Sequence, residues 1–295
     1  MMKLAKTKGD LTFDLVNYSL ITILLILVIY PLYFVIMASV TDPDLIYSGK
    51  LLFFPDHLTL DGYKKVLSEP SIWLGFRNSL LYTVLGTAIN VVLTVSAGYA
   101  LSRTDLVGRN VFMFLLVFTM FFGGGLIPSY LLIKDLGMLN TVWAMVIPNA
   151  VSVFNVIITR TFFQSNIPGE VLESAMIDGC TNMKFFVKIA IPLALPIVAV
   201  MVLFYAVGHW NSYFQALIYL KSNAMQPLQV ILRNILIMNE GSDLQNLQDG
   251  SQEQQKRMEL MKYAIIIVSS LPVLVLYPFL QRFFVKGALV GSLKG

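Results

Sequence analysis

Charge is what this chain has least of. Asp, Glu, Lys and Arg make up 13% of its 295 residues, against 57% hydrophobic ones, whereas a soluble globular protein carries about 25% charged residues. A soluble fold of this length needs polar surface to cover its core, and too little is available here. With a mean hydropathy of +0.73, much of the chain requires a lipid bilayer as its solvent. Cysteine is nearly absent as well. The lone Cys180 excludes an intrachain disulfide framework and a cysteine-rich zinc site. The two histidines, His57 and His209, form no H-E-x-x-H pattern, and no apolar run holds a carboxylate pair. Intramembrane catalysis is therefore not expected, and neither is a metal site or any catalytic residue. The sequence also lacks G-x-x-x-x-G-K-[ST], so no phosphate cradle for ATP is expected on this chain. A net charge of +4 is too small to suggest nucleic-acid binding.

What is present is apolar length. A spanning helix needs about 20 predominantly apolar residues, and six stretches meet or approach that: 15–41, 78–101, 111–133, 142–159, 189–220 and 263–281. None holds an Asp, Glu, Lys or Arg. One such residue at mid-bilayer costs roughly 2.5–3.5 kcal/mol, so this partition predicts an all-α polytopic membrane protein with six transmembrane helices in a single domain, 1–295. The fifth stretch is too long for one straight span. Pro192 and Pro196 place its membrane crossing at about 193–220, the preceding residues approaching the bilayer first. The first apolar run is far longer than the 7–15 residues of a signal-peptide core and reads as an uncleaved helix.

Lys3, Lys6 and Lys8 precede that helix and favour a cytoplasmic N-terminus; six spans then put the C-terminus on the same side. In this orientation eleven of the 21 basic residues lie inside and eleven of the 17 acidic ones outside, a modest positive-inside bias. Among the outside segments, Leu228, Ile231, Leu232, Ile235 and Leu236 recur at helical spacing, which predicts an amphipathic helix at the membrane surface. Inside, Asn166 and Pro168 mark a helix start, Glu170–Ile177 a helical run and Gly179 a stop. Thr181 then caps a second short run to Lys188. Helix, glycine turn and helix make a compact cytoplasmic knob.

The residues of that knob, ESAMIDGCTNMKFFVKIAIP, resemble the EAA loop of the membrane subunits of ABC importers. The family pattern is E-A-A, three residues, G, nine residues, then I-x-L-P. Here Glu173-Ser174-Ala175 precede Met176, Ile177 and Asp178, then Gly179, with Ile189-Ala190-Ile191-Pro192 in register; Ser174 and Ile191 are the departures. FRNSLLYT, GYALSR (Gly98–Arg103), HWNSYFQALIYL (His209–Leu220) and the tail QRFFVKGALVGSLKG resemble carbohydrate-uptake permeases of the maltose type, and GGGLIPSYLLIKDLGMLNT their oligosaccharide-like branch. The resemblance implies a type I importer permease fold in the bacterial cytoplasmic membrane. It further implies a coupling loop at 164–192 carried by Glu173, Ser174, Ala175, Asp178, Gly179, Ile189 and Pro192. The tail at 282–295, with Gly287, Gly291 and Lys294, would contact the ATPase. The implied partners are a second homologous permease, two ATP-binding subunits that hold ATP and Mg, an extracytoplasmic solute-binding protein and the carbohydrate. No cofactor is expected on this chain.

A sugar path needs neutral hydrogen-bonding groups and aromatic faces. Asn149, Trp210, Asn211, Tyr213 and Gln215 are the candidates, flanking a proline or clustering mid-span. Asn78 offers a further amide, whereas Asn90 and Asn155 fit interhelical hydrogen bonding better. His209, alone in a span, reads as a packing residue. An ion-coupled secondary transporter is the rival function. Such proteins usually keep ionisable groups within the membrane, which these runs lack, though backbone carbonyls alone can hold sodium. A non-sugar solute is the other alternative.

Overall fold

The structure, a computed structural model, describes residues 7–42, 45–46, 58–245, 261–278 and 281, and for 238–245 the backbone alone. It is helical, and among the described residues the only strand-like pairing is an isolated bridge between Thr41 and Leu58. The chain forms two compact units, 1–69 with 234–268 and 70–233 with 269–295.

In the first unit, α1 (Lys8–Ser39) starts from a capping box, in which Thr7 and Asp10 exchange side-chain and backbone hydrogen bonds. Its hydrophobic side chains are exposed almost throughout, as expected of a helix solvated by lipid. Ser39 shares a 2.7 Å hydrogen bond with Tyr63 of α2 (Asp61–Ser68), and Phe34 meets Tyr263 edge-on.

The second unit is built on α3 (Pro70–Ser102). It continues through α4 (Arg109–Phe121), α5 (Leu126–Asp135), α6 (Val142–Val146), α7 (Val153–Asn166), α8 (Gly169–Ile177), the run α9 (Asn182–Leu193), α10 (Leu195–Trp210) and α11 (Phe214–Tyr219). Helices α12 (Leu228–Gln245) and α13 (Met261–Pro278) follow, each crossing the division between the units. α3 packs mainly against α7 and α10. Within a bilayer, close helix approach depends on small residues and hydrogen bonds rather than on the hydrophobic effect, and α3 supplies both. A Cβ on Gly86 would stand 2.3 Å from His209 Nε2, and one on Gly98 would stand 2.7 Å from Thr159 Cγ2 and 3.1 Å from the Arg160 amide. Thr94 and Tyr205 share a 2.6 Å hydrogen bond. The Tyr205 hydroxyl also accepts from the Ser152 amide at 3.1 Å.

Among the described residues, three single helices, α1, α3 and α13, are long and apolar enough to cross a bilayer, and two bent pairs meet the same test together. The expected span at 111–133 is one of those pairs: α4 and α5 meet at 113°, because Phe122–Gly125 leave the helix and Gly125 takes φ +84. The fifth expected span is the other, with α9 bent 79° against α10. A lone helix does not account for 142–159. That stretch is two helices separated by a break at 147–152, where the Asn149 carbonyl accepts from Asn90 Nδ2 at 3.1 Å. Interrupted backbone survives in such a setting only where protein groups satisfy it, and Asn90 and Tyr205 do so. The amphipathic helix predicted near 228 is present as α12. Its first turn is seated by Leu228 and Val230, both fully buried, rather than by the whole predicted stripe. The Leu228 amide donates to Ser79 Oγ at 2.9 Å.

Replacing Gly98 with Leu is expected to force α3 and α7 apart, at about 1–3 kcal/mol for overpacking, and to lower the thermal unfolding midpoint of the detergent-solubilised chain. Gly208→Ala, where an added Cβ has no neighbour within 4 Å, is expected to leave the midpoint unchanged or raised.

Candidate functional site

The knob is set by local rules of helix termination. α8 runs Gly169–Ile177 and ends at Gly179, whose φ of +73 lies in the left-handed region that favours glycine. The Gly179 amide donates to the Met176 carbonyl at 3.0 Å and the Cys180 amide to the Ala175 carbonyl at 2.9 Å. Together they make the paired bonds of a Schellman motif. One residue on, Thr181 caps α9, its hydroxyl accepting from the Lys184 amide at 3.4 Å. The chain thus stops one helix, turns and starts another within a few residues, and the turn's backbone is hydrogen-bonded across itself.

Phe186–Ala190 then widen into a π-helical turn. Pro192 supplies the reason. It has no amide hydrogen, and its ring crowds the carbonyl four residues back, that of Lys188. The Ile191 amide reaches instead to Phe186, five residues back. Pro192 itself is exposed and Ile189 half-buried.

One face of the knob is anchored. Ala175 is buried, and with Phe185, Ala190 and Ala194 it joins a cluster that includes Val95, Phe163, Met201 and Tyr205. Tyr99 of α3 lies against both Phe185 and Phe186, at ring-centroid separations of 6.5 and 4.7 Å. The opposite face is bare. Glu173, Ser174, Asp178 and Gly179 are exposed, and the most exposed apolar side chains at the turn are Ile177, at 87%, and Met183, at 70%. Ser174 Oγ donates back to the Glu170 carbonyl at 2.8 Å, so this residue is tied to its own helix. The structure therefore brings Glu173, Ser174, Ala175, Asp178 and Gly179 into one turn, with Ile189 and Pro192 at its base. Ala175 faces inward, Ile189 packs half-buried against the same cluster, and the others are exposed. Sequence reasoning did not pick out Ile177 and Met183, though their positions beside the glycine turn marked them as tip residues.

The candidate sugar-path residues are not gathered in this way. Trp210 is buried, its Nε1–H donating to the Ser269 carbonyl at 2.9 Å and its ring meeting Phe76 edge-on at 5.6 Å; it is engaged in packing. Asn211 is exposed, but its amide donates to the Val207 carbonyl of its own helix at 3.0 Å. Tyr213 is exposed, with its ring against Phe214, and Gln215 is half-buried. Asn149 is exposed in the break between α6 and α7, and no hydrogen bond or ring contact joins it to Trp210, Asn211, Tyr213 or Gln215 among the described residues. Asn78 holds the carbonyls of Ala224 and Gln226, at 2.9 and 3.1 Å. A polar stripe on α3 was missed. Thr83, Thr87, Asn90 and Thr94 recur at helical spacing, and the buried Thr83 and Thr87 hydroxyls, Asn90 Oδ1 and His209 Nε2 have no hydrogen-bond partner among the described residues. No group of three or more His, Cys, Asp or Glu suited to a metal ion occurs among the described residues. Gly287, Gly291 and Lys294 of the tail lie outside the described residues.

Comparison with known proteins places this architecture. Residues 71–290 match the family model described as binding-protein-dependent transport system inner membrane component. The chain is 42% identical over 285 residues to the polygalacturonan/rhamnogalacturonan transport system permease protein YtcP of Bacillus subtilis (strain 168), covering 96% of this chain and 98% of the relative. It is 30% identical over 272 residues to the arabinooligosaccharides transport system permease protein AraQ of Halalkalibacterium halodurans, covering 90% and 91%. Among solved structures, a chain of a bacterial ABC transporter involved in the import of the acidic polysaccharide alginate superposes with a TM-score of 0.85 at 30% identity, covering 96% of this chain and all of that one. An all-helical chain with a glycine-turned knob and a match of this extent belongs to the family of inner membrane components of binding-protein-dependent transport systems, the permease subunits of ABC importers.

Proposed function

We propose that this chain carries a carbohydrate, an oligosaccharide derived from a larger polysaccharide, across the cytoplasmic membrane, using ATP hydrolysed on partner subunits. One observation carries the reading: a knob whose backbone is locked by a Schellman turn, whose inner face is packed into the helical unit and whose tip is bare and apolar. An exposed apolar tip rimmed by Glu173 and Asp178 fits a groove on a partner. The partner's motion then passes through a rigid turn into α9 and α10. The force enters only if the ATPase subunits bind the inward-open and outward-open states with different affinities.

The relatives named for pectic polymers, arabinooligosaccharides and alginate support the carbohydrate assignment. The resemblance at Glu173–Pro192 supports two ATP-binding subunits that hold ATP and Mg, a second homologous permease and an extracytoplasmic solute-binding protein as the remaining components. On this reading the chain binds no cofactor, catalyses no reaction itself, and keeps both termini and the knob in the cytoplasm. Asn149, Tyr213 and Gln215 remain its candidate sugar contacts, joined by the unpartnered hydroxyls of Thr83 and Thr87. The tail residues Gly287, Gly291 and Lys294 would reach toward the ATPases.

Two experiments test it. In the assembled importer, Gly179→Val is expected to cut transport roughly tenfold, because a left-handed position costs a side chain about 1–2 kcal/mol. Gly179→Asn, which tolerates that conformation, is expected to retain most activity; equal loss in both variants would remove the turn from the mechanism. Ile177→Asp is expected to leave thermal stability unchanged while abolishing co-purification of the ATPase subunits and ATP-dependent uptake. Uptake that survives ATP depletion while the membrane potential persists would favour the ion-coupled alternative.

A further inference from the structure

A cavity of about 320 Å³ lies beside the base of the knob. Tyr99, Ser102, Arg103 and Thr104 line it from the end of α3, and Arg109 from the first residue of α4. Phe163, Gln164 and the start of α8, through Pro168, Gly169 and Leu172, close the other side. The two arginines differ in their surroundings. Arg103 is held on several sides: its Nε donates to Asp105 Oδ1 at 2.7 Å, its Nη2 to the other carboxylate oxygen, and its Nη1 to the Tyr99 hydroxyl at 3.1 Å. The hydrogen bond from Arg103 holds the Asp105 carboxyl below the usual carboxylate range. Arg109 is half-buried, and among the described residues its guanidinium makes one hydrogen bond, from Nη1 to the Arg103 carbonyl at 3.3 Å. No carboxylate pairs with it among the described residues. Asp105 therefore offsets one positive charge of the cavity and leaves the other, on a planar group suited to bidentate contact with phosphate.

The apolar surroundings narrow the ligand. α4 runs away from Arg109 as a helix whose Val111, Phe112, Phe114 and Leu115 are 52–66% exposed. An anion held at Arg109 thus sits at the head of an uncovered apolar strip, at the end of the bundle that carries the knob. Basic pockets between helices at such a boundary suit lipid headgroups. We propose that this cavity binds the headgroup phosphate of an anionic phospholipid, with Arg109 as its principal contact, Arg103 as the group that holds Arg109 in place, and the acyl chains along α4. Inorganic phosphate shares the headgroup chemistry but would leave the apolar strip bare. Because Pro168, Gly169 and Leu172 belong to the knob, a bound lipid also braces the coupling element; that consequence rests on the proposed function, whereas the binding does not.

The test is lipid retention by the purified chain in detergent, supplied with equal amounts of phosphatidylglycerol and phosphatidylcholine and read by native mass spectrometry. The wild type is expected to retain phosphatidylglycerol preferentially, Arg109→Gln to lose that preference by roughly fivefold or more, and Arg109→Lys to recover part of it. Gln164→Glu, which leaves both arginines in place and adds a carboxylate to the lining, is expected to lower retention too, so the result does not depend on the stability of one variant. Equal retention of the two lipids by the wild type, unchanged retention in both Arg109→Gln and Gln164→Glu, or displacement of the lipid by millimolar inorganic phosphate would each overturn the proposal. Ile177→Asp, which breaks docking at the knob tip, is expected to leave lipid retention intact, so failure of the coupling reading and failure of the lipid site give different results.

Discussion

Reversal of the chain at Gly179 is the constraint on which the rest depends. A helix end leaves its last carbonyls without partners inside the helix, and an end that frays cannot transmit a push. Here the Cys180 and Gly179 amides close back onto Ala175 and Met176. That closure is available because residue 179 can take φ +73 without a side chain to strain. The same turn places Ala175 inward and Ile177 outward, so a single backbone geometry determines both the anchor and the tip.

Rigidity at the tip is useful only if it continues into the membrane. Three features carry it there. Aromatic contacts from Tyr99 hold α9 against α3, the π-turn at Phe186–Ala190 keeps the helix hydrogen-bonded past Pro192, and Tyr205 ties α10 to α3 and to the break before α7. In a low-dielectric setting these few hydrogen bonds are costly to leave unmade. The close approaches at Gly86 and Gly98 leave little slack between the helices they join. A displacement of the knob therefore has a packed route to the centre of the second unit.

Much of this was legible in the sequence. Charge-free runs marked the apolar helices, and the alignment of Glu173, Gly179 and Pro192 marked the knob, because turn chemistry is local. The breaks were less legible. Hydropathy registers 142–159 and 111–133 as continuous, since it counts apolar atoms and not whether a backbone amide will find a partner. Asn90 and Tyr205 come from other helices to stabilise the first break, and only the fold brings them there. The second falls at the Gly123–Gly125 run, where Gly125 takes φ +84, a helix-breaking feature that a count of apolar residues does not register. Trp210 shows a different limit: an aromatic residue among polar ones suggested a sugar contact, but which way it faces is a tertiary fact, and it faces Phe76 and Ser269. The arginine cavity was hidden for the same reason, its walls coming from segments about 60 residues apart.

Amide hydrogen exchange across 172–190, in the chain without its partner subunits, tests the central claim most directly. A preformed rigid knob predicts that the Gly179 and Cys180 amides exchange as slowly as those in the helical part of α9. Exchange of these two amides at the rate of an open loop, slowing only when ATPase subunits are added, would mean that the partner creates the turn, and would contradict the account.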